Sequence, residues 1–366
     1  MNWPSIPPGG LVNFEVLKRR TAPALCSFLA ASKLYKLATP IFGGMGSILN
    51  LHRVLPARTG PRITSVRALE VTPQWIDESI RFFSHLGIEI IDMDTLVAML
   101  SGEIPSRRFV IYSFDDGYED NVIHAYPVFR RNGAPFTVNV VASFPERQMI
   151  PWWMLLEDLI LGNQKLRVVL HGEVLNFDCR NEVSRERAFY RLRSAILAGI
   201  QVDYMGTLRQ VFVPYTVDIY KYSGIGMSWD QVRELSRDPL VTIGAHGVRH
   251  VPLAKLPADE LMRELADSRT IIERQIGRPV DHFAFPYGSP GEAGTREFAA
   301  VEAVGYKTAV TTRPANIFAQ HRRYLSCLPR NLVSGEREGR NVNLMNLWLS
   351  GTIPALENCL RRRIAG

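Results

Sequence analysis

The sequence predicts an α/β fold built on parallel strands, with an insertion on one face. Three observations carry that expectation. Apolar strand-like runs alternate with helical periodicity over residues 47–141 and again over 240–311, the pattern of strand–helix–strand units. Between them, about 144–226, the alternation breaks down. Polar groups also recur where apolar strands end, at His52, Asp115-Asp116, His246 and Pro286-Tyr287-Gly288. The carboxyl ends of parallel strands are where such folds build their sites.

The 366 residues allow one large barrel or two ordinary domains, and 46% hydrophobic with 22% charged residues is a globular composition. The net charge of +7 is spread along the chain apart from Lys18-Arg19-Arg20 and Arg361-Arg362-Arg363. No nucleic-acid-binding motif accompanies it, so no nucleic-acid partner is expected.

Residues 1–45 read as a Pro/Gly-rich tail and an amphipathic helix over Ala22–Phe42. Lys33 and Lys36 interrupt its apolar run, which argues against a signal peptide or a span and leaves peripheral contact with a membrane surface as a minor option. Ser47–His52 is a short buried strand. Val71–Leu86 is a helix, with Thr72-Pro73 as cap and first turn. Ile88–Ile91 is a strand, and Met93–Leu100 a helix capped by Asp92. Phe109–Phe114 is a strong apolar strand running into Asp115-Asp116-Gly117. A helix over Ala125–Asn132 and a strand over Phe136–Val141 follow. In the insertion, Pro151–Leu161 reads as a helix, Arg167–Leu170 and Val174–Phe177 as a hairpin, and Arg185–Leu208 as a charged helical region. Ser228 caps a helix from Trp229. The main pattern resumes with the strand Leu240–Ala245, the helix Ala258–Ile276, the strand His282–Phe285, the helix Thr295–Val304 and the strand Lys307–Thr311. Residues 46–335 form the main unit, and 336–366 read as peripheral. Cys26, Cys179, Cys327 and Cys359 are far apart with no C-x-x-C pair. Thiols in a reducing compartment fit best, which points to the cytoplasm, with the inner membrane surface as an option.

The chemistry starts with Asp115-Asp116. One carboxylate of such a pair can bind a cation while the other stays free to take a proton; the plain alternative is a polar turn closed by Gly117. His246 and His250 lie four apart, a spacing that puts both imidazoles on one face of a helical turn. Together with an aspartate they make a His, His, Asp set that leaves positions open on a divalent metal, zinc above all. Pro286-Tyr287-Gly288 is either a simple turn or a source of a main-chain N–H for a developing oxyanion.

Ser113-Phe114-Asp115-Asp116-Gly117 resembles the first motif of the polysaccharide deacetylases, the NodB-homology family of carbohydrate esterases. His246-Gly247-Val248-Arg249-His250 is similar to their second motif, with Gly247 in place of a small hydroxyl residue. Phe285-Pro286-Tyr287-Gly288 is similar to the third. The resemblance implies a distorted (β/α) barrel of the NodB-like type, carrying one divalent metal on Asp116, His246 and His250. It implies Asp115 as the general base acting on water, and the Tyr287 main-chain N–H as an oxyanion donor. The expected activity is hydrolysis of N-acetyl groups on an amino-sugar polymer or oligosaccharide, such as a chitooligosaccharide, a peptidoglycan glycan or an exopolysaccharide.

Two positions depart from the pattern. Ala284 stands where the family has an arginine that orients the catalytic aspartate, and Arg330 is the candidate to replace it from another strand. No late L-x-H motif supplies the general acid. Leu51-His52 is the candidate substitute, similar to permuted family members with an early histidine; a structural role for His52 is the alternative. Pro286, Tyr287, Trp152 and Trp153 are candidate substrate contacts, although adjacent tryptophans more often cover a core with one ring and a groove with the other. His282 reads as lying on the opposite rim, and His85, His124, His171 and His321 as surface or loop residues. Hydrolysis of another amide, a cyclic imide or an O-acetyl ester with the same groups remains open. So does a carbohydrate-binding protein without turnover.

Overall fold

A computed structural model describes residues 24–200, 203–335 and 338–364. Its centre is an eight-stranded parallel sheet. The strands are β1 (Gly46–Leu51), β2 (Glu89–Ile90), β3 (Phe109–Phe114), β4 (Phe136–Val140), β5 (Val241–Ala245), β6 (His282–Ala284), β7 (Thr308–Val310) and β8 (Asn331–Leu332). Their order is β7-β6-β5-β4-β3-β1-β8, and β2 pairs with the first residues of β3. Every residue of β1, β3 and β4 is buried. Covered on both faces, such strands must be near-continuous apolar runs, which is why they stand out in the sequence.

The curled sheet is closed by one short segment. Leu328 bridges to Val310 of β7, while Asn331-Leu332 pairs with Leu49-Asn50 of β1. Residues 328–332 thus join the two edges, and Arg330 sits at the seam inside the barrel, with no exposed surface. Neither β8 nor the short pair Arg53-Val54/Glu70-Val71 is anticipated by the sequence pattern.

Helices Ala258–Ile276 and Thr295–Val304 have the expected bounds. Thr72, Asp92 and Ser228 cap their helices through their side chains. The expected charged region over 185–208 is two helices, Glu182–Gly199 and Tyr204–Phe212, the second capped by Asp203. With helix Trp152–Leu161 and the hairpin Lys165–Leu170/Glu173–Asp178 they assemble an apolar cluster of their own around Leu155, Phe189, Leu192 and Phe212.

The expected N-terminal helix is broken: residues 24–31 and Tyr35–Phe42 are helical, with a turn at 32–34. Ala22 and the Lys18-Arg19-Arg20 cluster lie outside the described residues. Of the C-terminal segment expected to be peripheral, residues 344–355 are instead largely part of the core. Leu344, Met345, Leu347 and Trp348 are buried in the same cluster as the main sheet, because they cover the apolar underside of β1 and helix Pro73–His85. His321, expected on the surface, is fully buried: its Nδ1 accepts from Phe318 N at 2.9 Å within a short turn that points the ring inward. No disulfide joins the cysteines. No helix among the described residues is long and apolar enough to cross a membrane.

Candidate metal centre and reaction pocket

The carboxyl ends of β1, β3, β5 and β6 bring His52, Asp115-Asp116, His246 with His250, and Tyr287 to one rim. Asp115 rests on the barrel interior. Arg330 forks it, donating from Nη1 to Oδ1 at 2.7 Å and from Nη2 to Oδ2 at 2.6 Å. The guanidinium also donates to Ser113 Oγ (3.0 Å) and Thr311 O (3.1 Å). Asn139 Nδ2 adds a third bond to the carboxylate at 2.9 Å. Burial pushes the Asp115 carboxyl up, but Arg330 and His246 outweigh it and hold the group below the usual aspartate value. Asp115 is therefore a fixed carboxylate at neutral pH. Arg330 is thus the buried cation that fixes the orientation of the Asp115 carboxylate.

Asp116 points the other way. Its Oδ1 lies 3.5 Å from His246 Nε2 and 3.2 Å from His250 Nε2. Asp116 is buried, and its Oδ1 has no hydrogen-bond partner among the described residues. Donor atoms arranged tetrahedrally at the ~2.1 Å usual for zinc stand roughly 3.4 Å apart, so the three residues fit a divalent metal. His246 Nδ1 pairs with Ala284 O at 2.7 Å, which fixes the ring and turns Nε2 toward Asp116. Burial opposes charge on Asp116, but His250 and His246 hold its carboxyl well below the ordinary value. Burial likewise opposes charge on His246, yet Asp115 and Asp116 raise it above 6.5. His250 is pushed down by burial to about 4. These are the described residues whose His, Cys, Asp or Glu donors cluster closely enough for a metal.

The histidine pair does not sit on a helical turn. Residues 246–250 form a loop, with Gly247 at φ +76° and His250 at φ +55°. Glu264, on the long helix, ties it down by accepting from Val248 N (2.8 Å), Arg249 N (3.1 Å) and the Arg249 side chain. Among non-glycine residues, Asp116 (φ +75°), His250 (φ +55°) and Tyr287 (φ +61°) all occupy the left-handed region. Such conformations cost on the order of 1–3 kcal/mol each and concentrate at sites whose surroundings over-determine them. At Tyr287 the chain makes a three-residue turn, with Gly288 N donating to Pro286 O at 2.7 Å.

His52 lines the same pocket, and its carbonyl accepts from Asn121 Nδ2 at 2.9 Å. Burial lowers its pKa, against the pull of Asp116 and Asp115. The insertion supplies the roof. Trp153 leans on His250 (ring centroids 5.3 Å), and Tyr287 flanks the same imidazole at 4.7 Å. Trp152, 1% exposed, belongs mainly to the insertion's core and reaches the pocket with one edge. Pro286 is not in the pocket wall and packs near Gly247. Sequence reasoning missed Arg193, whose guanidinium carbon lies 5.6 Å over the Tyr287 ring at the pocket wall. Its signal was an arginine on the apolar stripe of Phe189, Leu192 and Ile196, where a charge needs a reason to be.

The fold and rim define an α/β barrel with a metal-competent aspartate–histidine centre. Residues 200–309 match the family model for polysaccharide deacetylase, a stretch that includes the histidine loop and the Tyr287 turn. Among solved structures, the Streptococcus pyogenes deacetylase PplD, in complex with acetate, is 17% identical and superposes with a TM-score of 0.53 over 81% of this chain and 95% of that one. IcaB from Ammonifex degensii is 17% identical, with a TM-score of 0.51 over 83% of this chain and 97% of that one. A polysaccharide deacetylase from Bacillus cereus is 14% identical, with a TM-score of 0.50 over 82% and 68%. No curated protein matches by sequence. The family-model match covers residues 200–309, and the barrel is the fold that this chain shares with these deacetylase structures.

Proposed function

We propose that this protein removes N-acetyl groups from an amino-sugar polymer or oligosaccharide by metal-dependent hydrolysis. The observation that carries the reading is the division of labour between neighbouring carboxylates: Asp115 is clamped from inside the barrel, while Asp116 Oδ1 faces two imidazoles. Asp116, His246 and His250 would hold one divalent cation, most simply zinc, which when bound supplies a Lewis acid that polarises the acetamide carbonyl and acidifies water.

The remaining steps fall to the chain's own groups. Asp115 takes the proton of the attacking water, its orientation set by Arg330 and Asn139. The Tyr287 main-chain N–H is presented to the developing oxyanion by the strained turn. His52, across the pocket, passes a proton to the leaving amine. Because burial keeps it neutral in the free protein, it takes that proton from solvent during the cycle, balancing the proton that Asp115 removes from the attacking water and returns to solvent. Trp153, tilted against His250, offers an aromatic wall for a sugar ring. The products are acetate and a free amine.

The test is acetate release from an N-acetylglucosamine pentamer with zinc supplied, comparing wild type with Asp115→Asn. The asparagine spares the metal donors and removes the base, so release falls by roughly 10²–10⁴-fold while zinc binding persists. Equal release by both proteins sinks the assignment of Asp115.

A further inference from the structure

We propose that the first and last described segments together form a docking surface for an anionic lipid bilayer. The observation is an apolar patch left facing solvent. Phe28 is 61% exposed, Leu37 76% and Leu360 67%, with Leu34, Ile41 and Leu356 about half exposed beside them. Helix Tyr35–Phe42 packs on Thr352–Glu357 and Arg362 Nε donates to Ile41 O at 2.5 Å, so these two segments lie side by side, with Phe28 on the turn of helix that precedes them in the chain. Scattered exposed leucines are ordinary, whereas several on paired segments mark an interaction face.

Charge selects the occupant. From Val16 to Leu69 the sequence holds no Asp or Glu, and from Asn358 to Gly366 there is again none. Within the two segments, the exposed cations are Lys33, Lys36, Arg361 and Arg362, and the exposed acid is Glu357. Exposed Leu and Phe rimmed by Lys and Arg is the pattern of a helix that lies in the headgroup layer, and two such signals acting together give stable attachment. A protein partner would ordinarily be met by charges of both signs.

The placement also suits such a role. Helix Tyr35–Phe42 ends just before β1 begins, at the amino-terminal end of the strands, whereas the pocket opens at their carboxyl ends. A six-residue strand such as β1 spans about 20 Å. A docked molecule therefore holds its pocket away from the lipid, open to a glycan in the aqueous phase.

The test is co-sedimentation of the full chain with vesicles of phosphatidylcholine alone and of phosphatidylcholine mixed with phosphatidylglycerol. The full chain sediments with the anionic vesicles and stays in solution with the neutral ones. Replacing Lys33 and Lys36 by Gln weakens binding roughly thirtyfold, about fivefold for each cation. Phe28→Ser with Leu37→Ser abolishes binding while leaving the melting temperature and acetate release unchanged, since neither side chain reaches the core or the pocket. Failure to sediment with anionic vesicles overturns the proposal. So does sedimentation that both variant pairs leave intact, or a dimer that the Phe28/Leu37 pair dissolves in a protein that ignores vesicles, which would make a second copy the occupant.

Discussion

Replacing Arg330 by Met tests whether the barrel interior is organised around the base. The side chain has no exposed surface and makes four hydrogen bonds, two of them charged bonds to Asp115 and the others to Ser113 Oγ and Thr311 O. Methionine fills much of the volume but leaves the Asp115 carboxylate buried without its counter-charge. Breaking a buried pair from one side costs about 3–5 kcal/mol. The expected result in urea unfolding is a loss of that size, together with acetate release reduced by at least the factor seen for Asp115→Asn. Arg330→Lys should recover part of the stability and little of the activity, since an ammonium cannot fork both carboxylate oxygens. The double variant Arg330→Met/Asp115→Asn should be more stable than Arg330→Met alone. The pH dependence has a definite sign. Asp115 is held below its ordinary value, so the pair's contribution is complete above about pH 4 and is lost as pH falls toward the folded-state value. A loss below 1 kcal/mol for Arg330→Met at neutral pH would refute the clamp.

Two further outcomes follow from the loop and the donors. Glu264→Gln keeps the helix but weakens the bonds that seat Val248 and Arg249; zinc affinity by calorimetry should fall about 10–100-fold, as for other groups supporting metal ligands. The His246 pKa is raised above 6.5 while His250 lies near 4. Zinc must displace a proton from His246 alone, so affinity should drop about tenfold per unit as pH falls below that raised value, with a second proton entering only near pH 4.

Much of the site was legible because the barrel strands are buried on both faces. Uninterrupted apolar runs made Asp115-Asp116 and His246 conspicuous at their ends, and the caps Thr72, Asp92 and Ser228 announced helix starts locally. What stayed hidden depends on contacts far apart in the chain. β8 is two residues long and has no periodicity to read, yet it seats Arg330 beside a carboxylate more than two hundred positions away. The histidine spacing suggested a helical turn, but the loop is set by the positive φ values of Gly247 and His250 and by Glu264. Arg193 and Trp153 meet the rim only because the insertion folds over it. The C-terminal residues looked peripheral because their burial comes from docking against β1, which no local pattern encodes.

The proposed metal dependence of the rim is tested most directly by stripping the protein with a chelator and following acetate release from the N-acetylglucosamine pentamer as zinc is returned. Release should vanish in the stripped protein and recover at one equivalent of zinc per chain, with no recovery in Asp116→Ala. Undiminished release after metal removal, or full recovery in Asp116→Ala, would contradict the assignment of Asp116, His246 and His250 as the metal centre.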